Sequence, residues 1–267
     1  MNAVLLRRTF VAQRTKLLVV CLGLAAWSAI MPVVYATFGA DMRQIMESGL
    51  IPEQFTNFGG GDIFSLSGSI AIGAIHPISI VLNAVFAVGF AVAAVAGERQ
   101  RGTLEVMLAR PLSRRTVYVT LLVATLLFVA LAVTATVVGA IVGSAVGGVI
   151  DELDLSRFPA LWLNAFLLYG CLGAIALAAS VSFDRLTPAL GVTLAIVVVM
   201  YFLEVLGSLW PDADFLQPYS LFHYFPARAI LNGTARPLND VILAVVAGLA
   251  IVWALVVFPR RDLAAPA

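Results

Sequence analysis

The chain has 267 residues, of which 61% are hydrophobic and only 12% are charged, and its mean hydropathy is +1.01. Soluble domains carry about 25% charged residues, so this composition excludes an ordinary water-soluble protein. The net charge of +1 excludes little, because it averages basic and acidic regions that lie apart in the sequence.

Six apolar stretches follow one another along the chain, and each is long enough to cross a bilayer. They are residues 17–35, 70–96, 117–143, 160–181, 188–209 and 241–258. A hydrocarbon core of about 30 Å needs about 20 helical residues. The pattern predicts an all-α membrane protein with six transmembrane helices, in one domain that covers residues 1–267.

The segment before the first stretch mixes apolar residues with four basic ones over residues 2–16. This mixture predicts a short amphipathic helix at the inner headgroup layer; a merely charged tail is the alternative. A cleavable signal has an apolar core of about 7 to 15 residues. Since residues 17–35 form a longer stretch, we expect a retained span. Cys21 and Cys171 lie inside apolar stretches, where we expect them to be buried small side chains.

The second stretch contains His76 followed by Pro77, which predicts a kink or an interrupted helix. Asn83 lies seven residues after His76, so the two side chains would share one helix face. Polar groups inside spans usually face a cavity or a partner helix. His76 and Asn83 are therefore candidates for lining a translocation path, with an interhelical hydrogen bond as the alternative for each.

The connection after the second stretch carries the most specific local pattern, over residues 97–115. Residues 103–109 are predicted to form two short helical turns that open near Gly102 and stop before Pro111. Leu104, Met107 and Leu108 would lie on one face of this segment with charges around it, so it is amphipathic. It suits either a contact with a protein partner or an interfacial helix that anchors the loop on phospholipid.

The third stretch carries Gly139, Gly143 and Gly147 at intervals of four. Small residues at this spacing let helix backbones approach closely. We expect packing within the subunit, with a dimer seam as the alternative.

Glu204 is the only acidic residue inside the predicted spans. A charge at mid-bilayer costs at least about 2.5 kcal/mol, so Glu204 is a candidate for the translocation path or an outer gate. Its candidate partners are Arg228 and His223, and His76 and Asn83 would line the same cavity. The alternative is a structural hydrogen bond that holds the following segment.

Aromatic residues and prolines crowd together between the fifth and sixth stretches, at Phe215, Tyr219, Phe222, Tyr224, Phe225, Pro211, Pro218 and Pro226. Aromatic rings favour the headgroup boundary. This segment is predicted to lie on or dip into the outer leaflet, and an ordinary aromatic belt is the alternative.

Basic residues are concentrated in alternate connections, which predicts the orientation because arginine and lysine are retained on the cytoplasmic side. With the N-terminus inside, twelve of the sixteen basic residues lie inside. The other four are Arg43, Arg157, Arg228 and Arg236. Both termini are therefore expected to be cytoplasmic, in a multi-pass plasma-membrane protein.

The connection at 97–115 resembles the signature loop of the ABC-2-type permeases, the transmembrane subunits of one class of ATP-binding-cassette exporter. The resemblance lies in residues 96–98, 101–105, 108, 110–111 and 113–114. In that family the loop forms a coupling helix that docks on an ATPase subunit. The resemblance assigns this contact to Glu98, Arg101, Gly102, Thr103 and Glu105.

The same resemblance implies a homodimer, outward transport and short outer helices that cap the path before the sixth span. It also implies a separate ATPase subunit that binds ATP and Mg, with membrane lipids around the chain. The sequence agrees, because a P-loop needs a lysine after glycine and the only lysine, Lys16, follows none in residues 11–15. We expect no catalytic, cofactor-binding or metal-binding residues in this chain, and no nucleic-acid partner.

Two other function classes stay open. A proton-coupled secondary transporter would use Glu204 and His76 as a proton relay and would show paired broken helices. An integral membrane enzyme or assembly factor would need catalytic residues clustered at one interface. The substrate cannot be read from these residues.

Overall fold

The computed structural model describes residues 1–47, 65–104 and 112–261, and every regular element in these ranges is a helix. Five helices are long and apolar enough to cross a membrane, and a bent pair supplies a sixth span when it is counted as one. The prediction of an all-α protein built from membrane-spanning helices is confirmed. Glu105 and the rest of the predicted coupling helix after Leu104 lie outside the described residues.

The helices are numbered here in chain order. They are α1 (Ala3–Glu47), α2 (Leu66–Ile75), α3 (Pro77–Ala84), α4 (Arg114–Val146), α5 (Phe158–Ser182), α6 (Leu186–Leu209), α7 (Ala227–Leu231) and α8 (Leu238–Arg260). Two π-helical segments, Val85–Phe90 and Ala93–Gly97, continue α3 into a last turn at Glu98–Gln100. Between α6 and α7 the chain forms 3₁₀ turns at Pro211–Tyr219 and Phe222–Tyr224.

Helix α1 corrects the prediction of a separate amphipathic helix at residues 2–16. The helix begins at Ala3 and runs without a break into the apolar stretch. The physical reason is that no glycine or proline stands before Gly23, so nothing in the sequence ends the helix. Asn2 caps its start by accepting a hydrogen bond from the Leu5 N–H at 2.9 Å, and Phe10 packs on Phe128 of α4 with ring centroids 4.5 Å apart.

Helices α2 and α3 form the broken second span, with an angle of 46° between them. Pro77 has no N–H, so the Gly73 carbonyl loses its helical donor. Two side chains replace that donor: the Ser79 hydroxyl at 2.6 Å and the Trp27 indole N–H at 3.1 Å. The interruption predicted at His76 and Pro77 is confirmed, and α1 holds the break through Trp27.

The glycine series of α4 faces α1. A Cβ atom added at Gly139 would lie 2.3 Å from the carbonyl oxygen of Ala25, and one at Gly143 would lie 2.2 Å from that of Ala29. The glycine face of α4 therefore packs directly on the alanine face of α1, with the two backbones in contact, as small residues at this spacing permit. The expectation that the series packs within the subunit is confirmed.

Helix α5 lies in the middle of the bundle, against the two π-helical segments that continue α3 and against α4, α6 and α8. Its Leu168, Leu172 and Cys171 are wholly buried. Cys21 on α1 is only half-buried, because α1 lies at the edge of the bundle. The expectation of two buried cysteines therefore holds for Cys171 alone. Helices α6 and α8 turn apolar side chains outward, as spanning helices do towards lipid.

The bundle has two chemically different ends. At one, called here the basic end, α1 begins and α8 ends, and the Asn2 N–H donates to Thr120 of α4 at 2.8 Å. Arg114 at the start of α4 donates to the carbonyl oxygen of Arg261 at 2.6 Å. At the opposite end, the Asn164 amide of α5 reaches Asp240 of α8 at 2.5 Å.

Candidate functional site

A closed turn at the basic end follows the π-helical segments that continue α3. This turn, residues 97–104, is called here the elbow. Gly102 has φ +71°, in the left-handed region that favours glycine. Its N–H donates to the Arg99 carbonyl at 2.9 Å, and the Arg101 N–H donates to the Gly97 carbonyl at 3.1 Å. A left-handed glycine closing the last carbonyls of a helix is a common C-terminal cap.

Glu98 holds the elbow together. Its carboxylate forms an ion pair with Arg101. The Thr103 hydroxyl lies 2.5 Å from Glu98 Oε2 and 3.1 Å from the Glu98 carbonyl oxygen. Leu104 is 1% exposed and fixes the far side of the turn in the core. The structure thus brings four of the five predicted coupling residues into one turn, with Arg101 pointing a charge outward.

Arg99 ties the elbow to the rest of the basic end. It is 8% exposed, and its guanidinium lies 2.6 Å from the carboxylate of Asp184, between α5 and α6. Asp184 also pairs with Arg261 at the end of α8. The Gln100 side-chain oxygen accepts the Leu186 N–H, the first of α6, at 2.9 Å. Sequence reasoning placed these charges on one side but missed the pairing, since each residue belongs to a different connection.

Ser180 of α5 joins the second π-helical segment just before the elbow. A π-turn shifts the backbone pairing and changes which N–H groups find an acceptor. The Ser180 oxygen accepts from the N–H groups of Val95 and Ala96 at 3.1 and 3.0 Å, and its hydroxyl donates to the Val92 carbonyl at 2.6 Å. No sequence pattern indicates this contact, because a serine in an apolar stretch is common.

A cavity of about 560 Å³ lies near the opposite end, beside α6 and the segment that follows it. We call it the polar cavity. Its polar lining residues are Tyr201, Glu204, Ser208, Gln217, His223, Arg228, Asn232 and Thr234.

Glu204 is the acidic group of the polar cavity, and its side chain is 24% exposed. The Gln217 amide lies 3.4 Å from Oε1 and donates to Ser208 at 3.0 Å. Oε2 is enclosed and has no hydrogen-bond partner in the described part of the chain. His223 Nδ1 is 3.8 Å from Oε2, and burial lowers the pKa of His223, which favours its neutral form.

His76 and Asn83 are not among the residues that line the polar cavity. His76 caps α3, with Nδ1 accepting the Ile78 N–H at 3.2 Å, and packs on Trp27. Asn83 is 2% exposed, donates to the Ser79 carbonyl at 2.9 Å and lines a separate cavity of about 20 Å³. His76 and Asn83 thus have local partners, while His223 and Gln217 join Glu204.

Comparison with known families identifies the architecture. The family described as "ABC-2 family transporter protein" matches residues 12–263. The chain belongs to the ABC-2 transporter family. The predicted resemblance is confirmed, and the protein is a multi-pass membrane component of a transporter. No curated protein matches the sequence.

Within this ABC-2 protein the two sites differ in what they can do chemically. The elbow offers a rigid turn and the exposed charge of Arg101, which suits contact with another protein. The polar cavity offers a carboxylate oxygen without a donor. Across the described ranges, no group of three or more His, Cys, Asp or Glu side chains is placed to hold a metal ion.

Proposed function

We propose that this protein is the permease subunit of an ATP-binding-cassette exporter. Two copies enclose the path, and a separate ATPase subunit, which binds ATP and Mg, docks on the elbow of each. The observation that supports this role is the closed turn of Glu98, Arg101, Gly102 and Thr103 in a chain of the ABC-2 family. Glu105, outside the described residues, belongs to the same proposed contact.

Rigidity is what a coupling element needs, since a soft loop would absorb the displacement that nucleotide binding produces. The elbow is braced at three points: Arg99 on Asp184, Gln100 on the start of α6, and Ser180 on the π-helical segment above it. A push on the elbow therefore reaches α3, α5 and α6 together. Packed elements of this kind move as units between discrete arrangements.

The basic end faces the cytoplasm in this proposal, because its connections hold the excess of arginine. The polar cavity then lies near the external surface, where Glu204 forms part of the path or its outer gate. His76 and Asn83 serve the same path indirectly, by fixing the break in the second span. The short turns at Pro211–Tyr219 and Phe222–Tyr224, with α7, cap the path on the outside.

Reversing the charge of Arg101 tests the docking role. Arg101→Glu puts two acids side by side at the elbow, and we expect the permease-dependent stimulation of the ATPase subunit to fall about tenfold, the usual effect of repulsion at a protein contact. The assay is ATP hydrolysis by the reconstituted complex, with and without the permease.

Arg157→Glu is the matched control. Arg157 pairs with Asp154 at the opposite end, three residues apart like Arg101 and Glu98, with both side chains about half exposed. Its reversal should leave stimulation unchanged. Equal losses in the two variants, or a purified chain that pumps without any ATPase, would refute the proposal.

A further inference from the structure

We propose that the polar cavity binds the cationic group of an amphiphilic organic amine or quaternary ammonium compound, with the Glu204 carboxylate as its counter-ion. This inference rests on the proposed function, in which the cavity is part of the translocation path, and it names the substrate class. The volume of about 560 Å³ falls within the range of small-molecule sites, about 300 to 1,000 Å³.

Charge is the first argument. Glu204 Oε2 accepts no hydrogen bond from the described residues, although it is shielded from solvent. An enclosed acceptor without a donor is costly, and a ligand that brings a donor or a positive charge removes that cost.

The neighbouring side chains do not supply that charge. Burial lowers the pKa of His223, which favours the neutral ring, and its Nδ1 lies 3.8 Å from Oε2, beyond hydrogen-bond distance. Gln217 offers only an uncharged amide, directed at Oε1 and at Ser208. Arg228 lines the cavity but has an interaction of its own. Glu204 Oε2 therefore has no charged partner among these three residues, and it is the group that selects for a cation.

The apolar walls are the second argument. Tyr201, Phe222 and Phe225 line the cavity, and the rings of Tyr201 and Phe222 meet edge to face at 5.6 Å. Aromatic faces attract ammonium groups, and Ile75 and Val205 add hydrocarbon surface. The Glu204 carboxylate among these aromatic rings fits an amphiphilic cation, and Arg228, the other charged lining residue, is engaged in an interaction of its own.

The test uses a pair of ions of similar size and opposite charge, tetraphenylphosphonium and tetraphenylborate. Binding to the purified full-length chain in lipid nanodiscs is measured by equilibrium dialysis, without the ATPase. We expect saturable binding of the phosphonium ion and weaker binding of the borate ion. Because no nucleotide or partner takes part, a failure of the ATPase coupling would leave this result unaffected.

Glu204→Gln removes the charge and keeps the shape of the side chain, so the affinity for tetraphenylphosphonium should fall about tenfold or more, the usual effect of losing an enclosed charge pair. Asp212→Asn makes the same change at an exposed residue outside the cavity lining and should leave the affinity unchanged. A dose-dependent rise in the Tm of the wild-type chain provides a readout that needs no variant.

Three results would overturn the inference: no saturable binding to the wild-type chain, equal affinity for both ions, or an unchanged affinity in Glu204→Gln. Each would mean that Glu204 does not act as the counter-ion of a bound cation.

Discussion

Ser180 makes its three hydrogen bonds in the interior of the bundle, where no water competes for them. It is 0% exposed. Its oxygen accepts from two backbone N–H groups of the second π-helical segment, and its hydroxyl donates to the Val92 carbonyl just before that segment. Removing one partner of a buried hydrogen bond leaves the others with the cost of desolvation. The second π-helical segment, which leads into the elbow, depends on this hydroxyl. The position of the elbow depends on that segment in turn.

Ser180→Ala should lower the free energy of unfolding by about 1–2 kcal/mol, since two backbone N–H groups lose their acceptor. It should also reduce the permease-dependent stimulation of the ATPase, because the elbow loses a brace. Urea or thermal unfolding of the purified chain and the ATPase assay measure the two effects.

Ser144→Ala is the control for this change. Ser144 is also 0% exposed, but its hydroxyl only donates to the Ala140 carbonyl one turn back in α4. Its loss leaves no backbone donor unpaired and should cost well under half as much. Equal destabilisation by the two variants would show that Ser180 has no special part in the π-helical segment.

The predicted coupling residues show what a local motif predicts and what it misses. Glu98, Arg101, Gly102 and Thr103 are close in sequence, so their pattern is enough to assign them to one proposed contact. The partner of Arg99 is Asp184, 85 positions later, and no spacing connects the two. Contacts between different connections exist only after the helices have packed.

Among the elements, the second span shows how a break is tolerated in an apolar environment. Pro77 predicts the interruption from sequence alone. What the sequence does not show is that Ser79 and Trp27 both donate to the freed Gly73 carbonyl. An unsatisfied carbonyl in hydrocarbon is costly, so the break is stabilised by Ser79 of α3 together with Trp27 of α1.

Helices α1 and α4 depend on close backbone contact, and Gly143→Ala tests it. The added Cβ would lie 2.2 Å from the Ala29 carbonyl oxygen, so the helices must separate. We expect a loss of about 1–3 kcal/mol in the free energy of unfolding, as in other overpacked interiors. Thermal unfolding in a mild detergent measures it.

The same substitution at Gly248 of α8 serves as the comparison, because nothing lies within 4 Å of an added Cβ there. In that position alanine should be neutral or stabilise by up to about 1 kcal/mol, through its higher helix propensity. If Gly143→Ala unfolded at the same temperature as Gly248→Ala, the close contact would not matter for stability.

For the whole molecule, the segregation of charge predicts a single orientation in the membrane. Arg8 and Arg185 are exposed at the basic end, and Asp154 and Asp212 are exposed at the opposite end. In a variant with Cys21 and Cys171 replaced by alanine, single cysteines at these four positions report the side. A membrane-impermeant maleimide should label 154 and 212 in intact cells, and 8 and 185 only after permeabilisation. The reverse pattern would invert the proposed topology.

The paired broken helices of many secondary transporters have no counterpart in the described ranges, where α2 and α3 are the one bent pair that passes as a span. This agrees with a permease driven by a separate ATPase. A protonophore should therefore leave ATP-driven transport in reconstituted vesicles unchanged. Transport by a proton-coupled carrier would stop under the same treatment.

The sequence by itself determined the membrane class, the spans, the break at Pro77 and the family, because each depends on hydropathy or on residues close together in the chain. Only the tertiary structure decided that Arg99 pairs with Asp184, and that Glu204 shares a cavity with His223 and not with His76. Those outcomes depend on which helix faces pack together. Packing is a property of the whole bundle, and helix periodicity alone does not specify it.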